Sequence, residues 1–524
     1  MPLGHRLGLL AVAAALLLTH GCRREPARPT HRAPLLVVGI DGGEWKVIRR
    51  LWSAGKLPHL KAIADRGVAA TLRTAYNASP VIWTTIATGV SPPVHGITDF
   101  VVATPQGDVP VSSTVRKVPA LWNMLTRSGR RVAVLGWWGS WPAEQVNGVV
   151  LSDRVLLNLD RRVSPASYLP RFLKDLERAD ADPGRFEKEG IQRQDRVMAR
   201  SAARLVRDGY DLVLLYFRSP DLVSHNEWKY YEPDAFAAVD PGEVAARRDL
   251  VPRIYQAVDD EIGRILAAAP PGTNVFVLSD HGFHAAPREN VKALVDMDAI
   301  LERLGLLVRR GGAVDFSRSL VYAYGSPDYQ RVKVLRFPLA GREAGGRVRP
   351  EERSALRRRL AADLATVTNE RGEPIFLVRD PRPRHGEDGD AVAAVRLGLV
   401  TPALRVRGAP FPQALRSLGR ISGTHTPTTH GIFLAAGPDI DPGGDLSGIR
   451  VHDIAPTILY ALGLPVARDF AGRPWTELFG ADFRRAHPLR TIPTWGKLQR
   501  GGTARSSAAD EELLNELRAL GYIR

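Results

Sequence analysis

Three short runs constrain this chain most: Leu35–Ile40, Leu212–Phe217 and Val275–Leu278 carry no charged side chain and are too short for buried helices. Runs apolar on both faces at this length are expected of strands covered above and below by helices. Further strand patterns at Val68–Leu72, Arg131–Leu135 and Gly431–Ala435 alternate with helical patterns at Trp45–Trp52, Pro58–Arg66, Pro119–Arg127, Gln192–Val206 and Ile254–Ala268. The expected fold is α/β, with a mainly parallel central sheet and helices on both faces.

Each of the three runs leads into side chains that bind metals. Asp41 follows the first, Asp221 and His225 the second, Asp280 and His281 the third. Ser79 ahead of a helical stretch and His425 complete a set of seven. Ligands of α/β proteins bind beyond the carboxyl ends of the strands, so the pattern converges acids and imidazoles on one sheet edge. That layout suits a two-metal hydrolase.

Every member of the set also has an ordinary explanation. Ser79 precedes Pro80, and a serine there commonly caps a helix; yet a helix N-terminus is also where a phosphoryl group is best held. Asp41-Gly42-Gly43 reads equally as turn chemistry. Asp221 and His225 share a helix face at i, i+4, as a surface ion pair would. Asp280-His281 resists such a reading, because a buried strand end rarely carries two polar groups without a partner. Trp137, Trp138 and Trp141, followed by Pro142, mark either core or a wall of the cleft.

Composition enters at two points. The net charge of +16 over 524 residues is spread along the chain without a compact Lys/Arg run interleaved with aromatics, so no nucleic-acid polymer is expected as a partner. At the N-terminus, His5 and Arg6 precede an apolar stretch, Leu7–Leu18, that is short for a membrane span and ends near Cys22, the only cysteine. This resembles a bacterial lipoprotein signal, with Cys22 as the lipidation site and membrane anchor, although Thr19 and His20 depart from the usual residues. The expectation is an exported lipoprotein facing the periplasm or cell exterior. The expected organisation is a signal over 1–22, a Pro/Arg-rich tether over 23–34, a catalytic core over 35–291, an inserted subdomain over 292–419, and completion of the core over 420–524. Within the insert, Pro350–Leu364 reads as a helix, Leu320–Tyr324 and Val332–Phe337 as strands, and Arg379–Asp390 as a surface loop. Ser507–Ile523 reads as a helix docking Leu513, Leu517 and Leu520.

The motifs also carry a resemblance. Ile40-Asp41-Gly42-Gly43, Ser79-Pro80-Val81-Ile82-Trp83 through Ala87-Thr88-Gly89, His95-Gly96-Ile97, Pro220-Asp221 with His225, Ser279-Asp280-His281-Gly282, Gly423-Thr424-His425 and Asp453-Ile454-Ala455-Pro456-Thr457 occur in the order of the alkaline phosphatase superfamily. Among its branches the chain most resembles the type I phosphodiesterases and nucleotide pyrophosphatases. The resemblance implies two divalent ions, zinc by ligand type with manganese open: Asp41, Asp280 and His281 with the Ser79 oxygen at one, Asp221, His225 and His425 at the other. It further implies a phosphate-ester substrate and Ser79 as nucleophile, forming a phosphoserine that water hydrolyses.

Departures from the family pattern raise their own questions. His430 stands five residues after His425 as a substitute ligand. Thr98-Asp99-Phe100 replaces the phosphate-binding Asn of nucleotide-cleaving members, with Arg218 as the candidate phosphate-binding residue in its stead. Ser stands where diesterases often have Thr, a chemically permissive change. A phosphotransferase acting on surface glycans or lipids, and a binding lipoprotein without turnover, compete with the hydrolase reading. A sulfatase is disfavoured because the segment after Ser79 lacks the required Pro and Arg spacing.

Overall fold

The computed structural model describes residues 32–104, 107–181, 191–236, 239–324, 332–382, 388–499 and 501–519. The segments expected to be a signal, with Cys22, and a tether through residue 31 lie outside them.

The core is one eight-stranded sheet. Its strands in chain order are β1 (Leu35–Ile40), β2 (Val68–Leu72), β3 (Val132–Leu135), β4 (Gly148–Leu151), β5 (Val163–Ser164), β6 (Leu212–Phe217), β7 (Asn274–Leu278) and β8 (Gly431–Ala436), arranged β2-β8-β7-β1-β6-β3-β4-β5. Six strands run parallel; β8 opposes both β2 and β7, and β5 opposes β4. β1 lies at the centre, with Gly39 in register with Tyr216 on one side and Leu278 on the other. The alternation of a strand divides its side chains between two cores. Leu36, Val38 and Ile40 pack under α1 (Trp45–Ser53), α2 (Pro58–Arg66), α5 (Arg193–Arg207) and α7 (Leu250–Ala268). Leu35 and Val37 face α3 (Ser79–Thr88), α4 (Leu121–Arg127) and α9 (Ile454–Ala461). The expected fold class is therefore the observed one.

Sequence periodicity missed β4 and β5. Both are short, and Gly148 and Arg161–Arg162 interrupt the local pattern. It also missed an antiparallel pair, His284–Val295 with Leu415–Thr424, in which Lys292 stands opposite Gly419. This pair leads from the main sheet into a separate hydrophobic cluster between Val295 and Ala414, built around α8 (Arg353–Ala365) and a four-stranded antiparallel sheet. Asp390, read as part of a surface loop, is instead buried: it accepts a hydrogen bond from the Phe337 amide at 2.8 Å and pairs with Arg342 at 2.6 Å. Residues 383–387 of that loop lie outside the described residues.

The last helix, α10 (Asp510–Ala519), docks through Leu514 and Leu517 on Phe100. Leu513 is half-buried, and Leu520 falls outside the described residues. Among the described residues no helix is long and apolar enough to cross a membrane.

Candidate active site

β1 ends where the chain must turn sharply. Asp41 N–H still donates to Phe217 O at 2.8 Å, and Gly42 then adopts φ +67°. A Cβ at Gly42 would lie 2.6 Å from the Phe283 ring, so only glycine lets the turn close over the strand end. The Gly42 amide donates to Asp280 Oδ1 at 3.3 Å, joining the ends of β1 and β7. Glu44 strengthens the joint, taking the Lys46 amide with one oxygen and the Phe283 amide with the other, each at 2.8 Å.

Ser79 is the first residue of α3. Ala78 is the N-cap and no side chain caps the helix, so the Ser79 hydroxyl is not consumed as a cap. Its Oγ lies 3.4 Å from Asp41 Oδ1 and 3.4 Å from His281 Nε2, and the residue is buried. α3 is held from below by His95, whose Nδ1 accepts the Ile97 amide (3.2 Å) and whose Nε2 meets Thr85 Oγ1 (3.1 Å). Burial, followed by the fields of Arg116 and His452, lowers the His95 pKa to about 3 and keeps the ring neutral.

Asp221 and His225 lie on α6 (Ser219–Tyr231), both buried, with His225 Nε2 3.2 Å from Asp221 Oδ1. A surface ion pair is thereby ruled out. The first turn of α6 is seated on Asp195, which accepts the Arg218 and Ser219 amides at 3.1 Å each. Burial raises the Asp195 pKa to about 6. The strand ending at Thr424 presses on α6 so closely that a Cβ at Gly423 would come within 2.2 Å of Ser224 O. This approach brings His425 over the site, its ring stacked on His281 at 3.6 Å and 10°. His430 turns away, its Nδ1 meeting the Thr74 amide at 3.4 Å.

The three imidazoles are oriented alike. Nδ1 of His225 donates to Gly423 O, that of His281 to Gly282 O, and that of His425 to Asn77 Oδ1, at 3.0, 3.0 and 3.1 Å. An oxygen acceptor on Nδ1 fits the Nδ1–H tautomer, in which Nε2 is the nitrogen that offers a lone pair to a metal. Phe283 packs against all three rings.

Two trios of buried ligand atoms result: Asp41, Asp280 and His281, and Asp221, His281 and His425. His281 belongs to both, with Nε2 at 3.4 Å from Asp41 Oδ1, 3.3 Å from Asp280 Oδ2 and 4.0 Å from Asp221 Oδ1. His225 stands beside the second trio through Asp221.

The electrostatics of the buried carboxylates favour a positive charge among them. Burial, together with the charges of Asp280 and Asp221, raises the Asp41 pKa well above the carboxylate range, and burial raises that of Asp280. Asp280 Oδ2 is fully buried and accepts no hydrogen bond. Lone pairs of imidazoles aimed at such carboxylates fit a divalent ion between them.

Several contributors escaped the sequence reading. Tyr216 donates from its phenol to Asp41 Oδ2, and Trp83 Nε1 reaches the same oxygen at 3.3 Å. Trp138 Nε1 in turn donates to Tyr216 Oη at 2.8 Å. Asn77 orients the candidate ligand His425, and Asp195 seats the helix turn that carries Asp221. In sequence, Asn77 had one signal, its place two residues before Ser79; the others pair across long separations. Of the tryptophans, Trp137 and Trp141 are buried core, whereas Trp138 is half-buried and lines a cavity that also reaches Ser79, Asp41, Asp221 and Arg218.

The family profile described as type I phosphodiesterase / nucleotide pyrophosphatase matches residues 35–390. Among solved structures, the wild-type alkaline phosphatase PafA is 14% identical, with 86% of this chain and 100% of that chain covered and a TM-score of 0.50. Murine ectonucleotide pyrophosphatase / phosphodiesterase 5 is 17% identical over 85% of this chain and 100% of its own, with a TM-score of 0.47. Phosphonoacetate hydrolase from Sinorhizobium meliloti 1021 is 16% identical over 82% and 95%, with a TM-score of 0.44. No curated protein sequence matches the chain. A family match across most of the chain, together with the phosphatase-like fold, makes this protein a phosphoester hydrolase that belongs to the type I phosphodiesterase / nucleotide pyrophosphatase family.

Proposed function

We propose that the chain is a phosphodiesterase that uses two divalent ions, zinc by donor type, and a phosphoserine on Ser79. The observation that supports it most is the position of Ser79 Oγ, unspent as a helix cap and 3.4 Å from both Asp41 and His281. Asp41, Asp280 and His281 would hold one ion, and Asp221, His225 and His425 the other. Bound there, the ions would supply Lewis-acid charge that lowers the pKa of the Ser79 hydroxyl and offsets the phosphoryl charge.

Ser79 Oγ displaces one ester oxygen of the substrate, giving phosphoserine and a free alcohol. Water then cleaves the phosphoserine, releasing a phosphomonoester and restoring the hydroxyl. Asp41 and His281 position the nucleophile, the α3 N-terminus favours the phosphoryl charge, and Arg218 on the cavity wall is the candidate cation for its oxygens. The apolar leader ending at Cys22 supports export and lipid anchoring, with the active site facing the periplasm or cell exterior.

The test compares an aryl phosphodiester and an aryl phosphomonoester as substrates of the detergent-solubilised full chain with zinc. Diester turnover that chelation abolishes, zinc restores and Ser79→Ala eliminates is the expected result. Diester turnover that survives Ser79→Ala would refute the phosphoserine route. No turnover with zinc bound would favour a transferase that needs its own acceptor.

A further inference from the structure

The charged groups that line the cavity reaching Ser79 already have partners or a role. Arg154 faces Asp153 and donates to the carbonyls of Pro110 (3.2 Å) and Val111 (2.8 Å). Asp153 accepts the Gly139 amide at 3.1 Å and the Trp141 amide at 2.8 Å. Asp41 and Asp221 belong to the two trios of ligand atoms, and Arg218 is assigned above to the phosphoryl oxygens. Phe100, Val111, Leu222 and Leu517 give the rest of the cavity apolar walls. One polar side chain on those walls has no such commitment. Gln194, in the first turn of α5, lines the cavity and is only 6% exposed. Its amide makes no hydrogen bond among the described residues, yet neither amide atom is sealed off, so both keep open surface.

The amide stands at the end of β3. Its Nε2 lies 3.5 Å from where a Cβ would project at Gly136, with Tyr216 O 3.6 Å from the same point, so the missing side chain leaves room beside it. The next residue, Asp195, uses both oxygens to seat the Arg218 and Ser219 amides, whereas Gln194 holds no part of the protein. An amide enclosed among apolar walls loses its hydrogen bonds to bulk water unless a ligand or a bound water restores them. The enclosed volume of about 70 Å³ is roughly half the ~150 Å³ of a dry cavity that holds benzene, which suits a short chain better than an aromatic ring.

We propose that Gln194 is a specificity-determining residue that binds a neutral hydroxyl on the ester substituent entering this cavity. This rests on the phosphodiesterase reading: the preferred substrate is a diester in which one ester group is a short, uncharged hydroxyalkyl chain. A hydroxyl both donates and accepts, so it pairs with either atom of the amide. A site whose buried amide bonds a substrate hydroxyl disfavours the analogue that lacks it, here by about tenfold or more.

The test uses the zinc-loaded full chain and a pair of nitrophenyl phosphodiesters whose second ester is butyl or hydroxypropyl, which match in size. Binding to the Ser79→Ala protein is measured by calorimetry, and turnover with the unaltered one. The expected result is binding about tenfold tighter, and a correspondingly lower KM, for the hydroxypropyl diester. Adding Gln194→Met, which keeps the length of the side chain and removes the amide, should bring the binding ratio close to one. Should that variant fold poorly, the ratio of the two diesters on the protein with Gln194 intact still decides.

Equal binding of the two diesters, or binding of neither, would overturn the proposal and leave Gln194 a hydrated side chain. A preference that survives Gln194→Met would overturn it as well, by placing the hydroxyl elsewhere. Turnover of both diesters without preference would overturn it while sparing the diesterase reading. Preferential binding that depends on Gln194, without any turnover, would support Gln194 as the hydroxyl site and refute the diesterase reading instead.

Discussion

The phenol of Tyr216 donates to Oδ2 of Asp41, from the neighbouring strand of the sheet. Burial and the Asp41 charge raise the Tyr216 pKa well above its usual value, so the phenol stays a donor at any working pH. With Trp83 on the same oxygen, Oδ1 is left to face Ser79 and His281. Tyr216→Phe should therefore weaken metal binding and diester turnover by roughly 10- to 100-fold, as loss of a hydrogen bond behind a metal ligand typically does. Zinc titration followed by calorimetry checks this; an unchanged affinity would mean that Trp83 alone suffices to orient Asp41.

Asn77 acts on His425 in the same manner, accepting its Nδ1 proton at 3.1 Å. Asn77→Ala should lower kcat/KM by about tenfold. Asn77→Asp, which retains the acceptor and adds charge, should recover most of the loss. Failure of the aspartate to recover activity would show that the amide serves another purpose.

Trp137 and Trp138 are adjacent but face different surroundings. Trp137 is buried, 4.9 Å edge-to-face from Trp83, with its indole N–H on the Trp83 carbonyl at 3.1 Å. Trp137→Ala should cost about 3–5 kcal/mol in denaturant unfolding with little effect on substrate preference. Trp138→Phe, by contrast, removes the donor to Tyr216 from the cavity wall and should change KM among diesters more than stability. The reverse pattern would contradict this division.

His95 makes stability depend on pH. Its folded pKa of about 3 lies below the ordinary value of 6.5 because burial disfavours the charged ring. Above pH 6.5 the ring is neutral whether folded or unfolded. As pH falls below that value only the unfolded chain gains a proton, so stability falls by about 1.4 kcal/mol per pH unit until the folded ring also titrates. Urea unfolding at about pH 7.5 and about pH 5.5 should show this contribution, and His95→Gln should remove it from the slope. Parallel slopes for the two proteins would refute the assignment.

The local pattern made much of the architecture legible. β1, β2 and β6 and helix α2 match their sequence-derived bounds, because an apolar run between turn residues or a Pro-initiated amphipathic stretch is a local signal. β4 and β5 were not legible: two to four residues carry too little periodicity, and their pairing depends on β3 being in place. The docked face of α10 was misjudged by one position at Leu513 and Leu514, since helical spacing defines a stripe but not the surface it meets.

The site divides along the same line. The seven candidate residues could be singled out in the sequence because their chemistry is rare at strand ends and their order matches a family. What tertiary structure alone decided is how they are held: Asn77 on His425, Asp195 under α6, Tyr216 on Asp41, and the cavity that Gln194 lines. These contacts join segments remote in the chain, and their geometry exists only once the sheet has brought the strand ends together. A sequence determines which groups can bind a metal or attack phosphorus; packing determines where their lone pairs point.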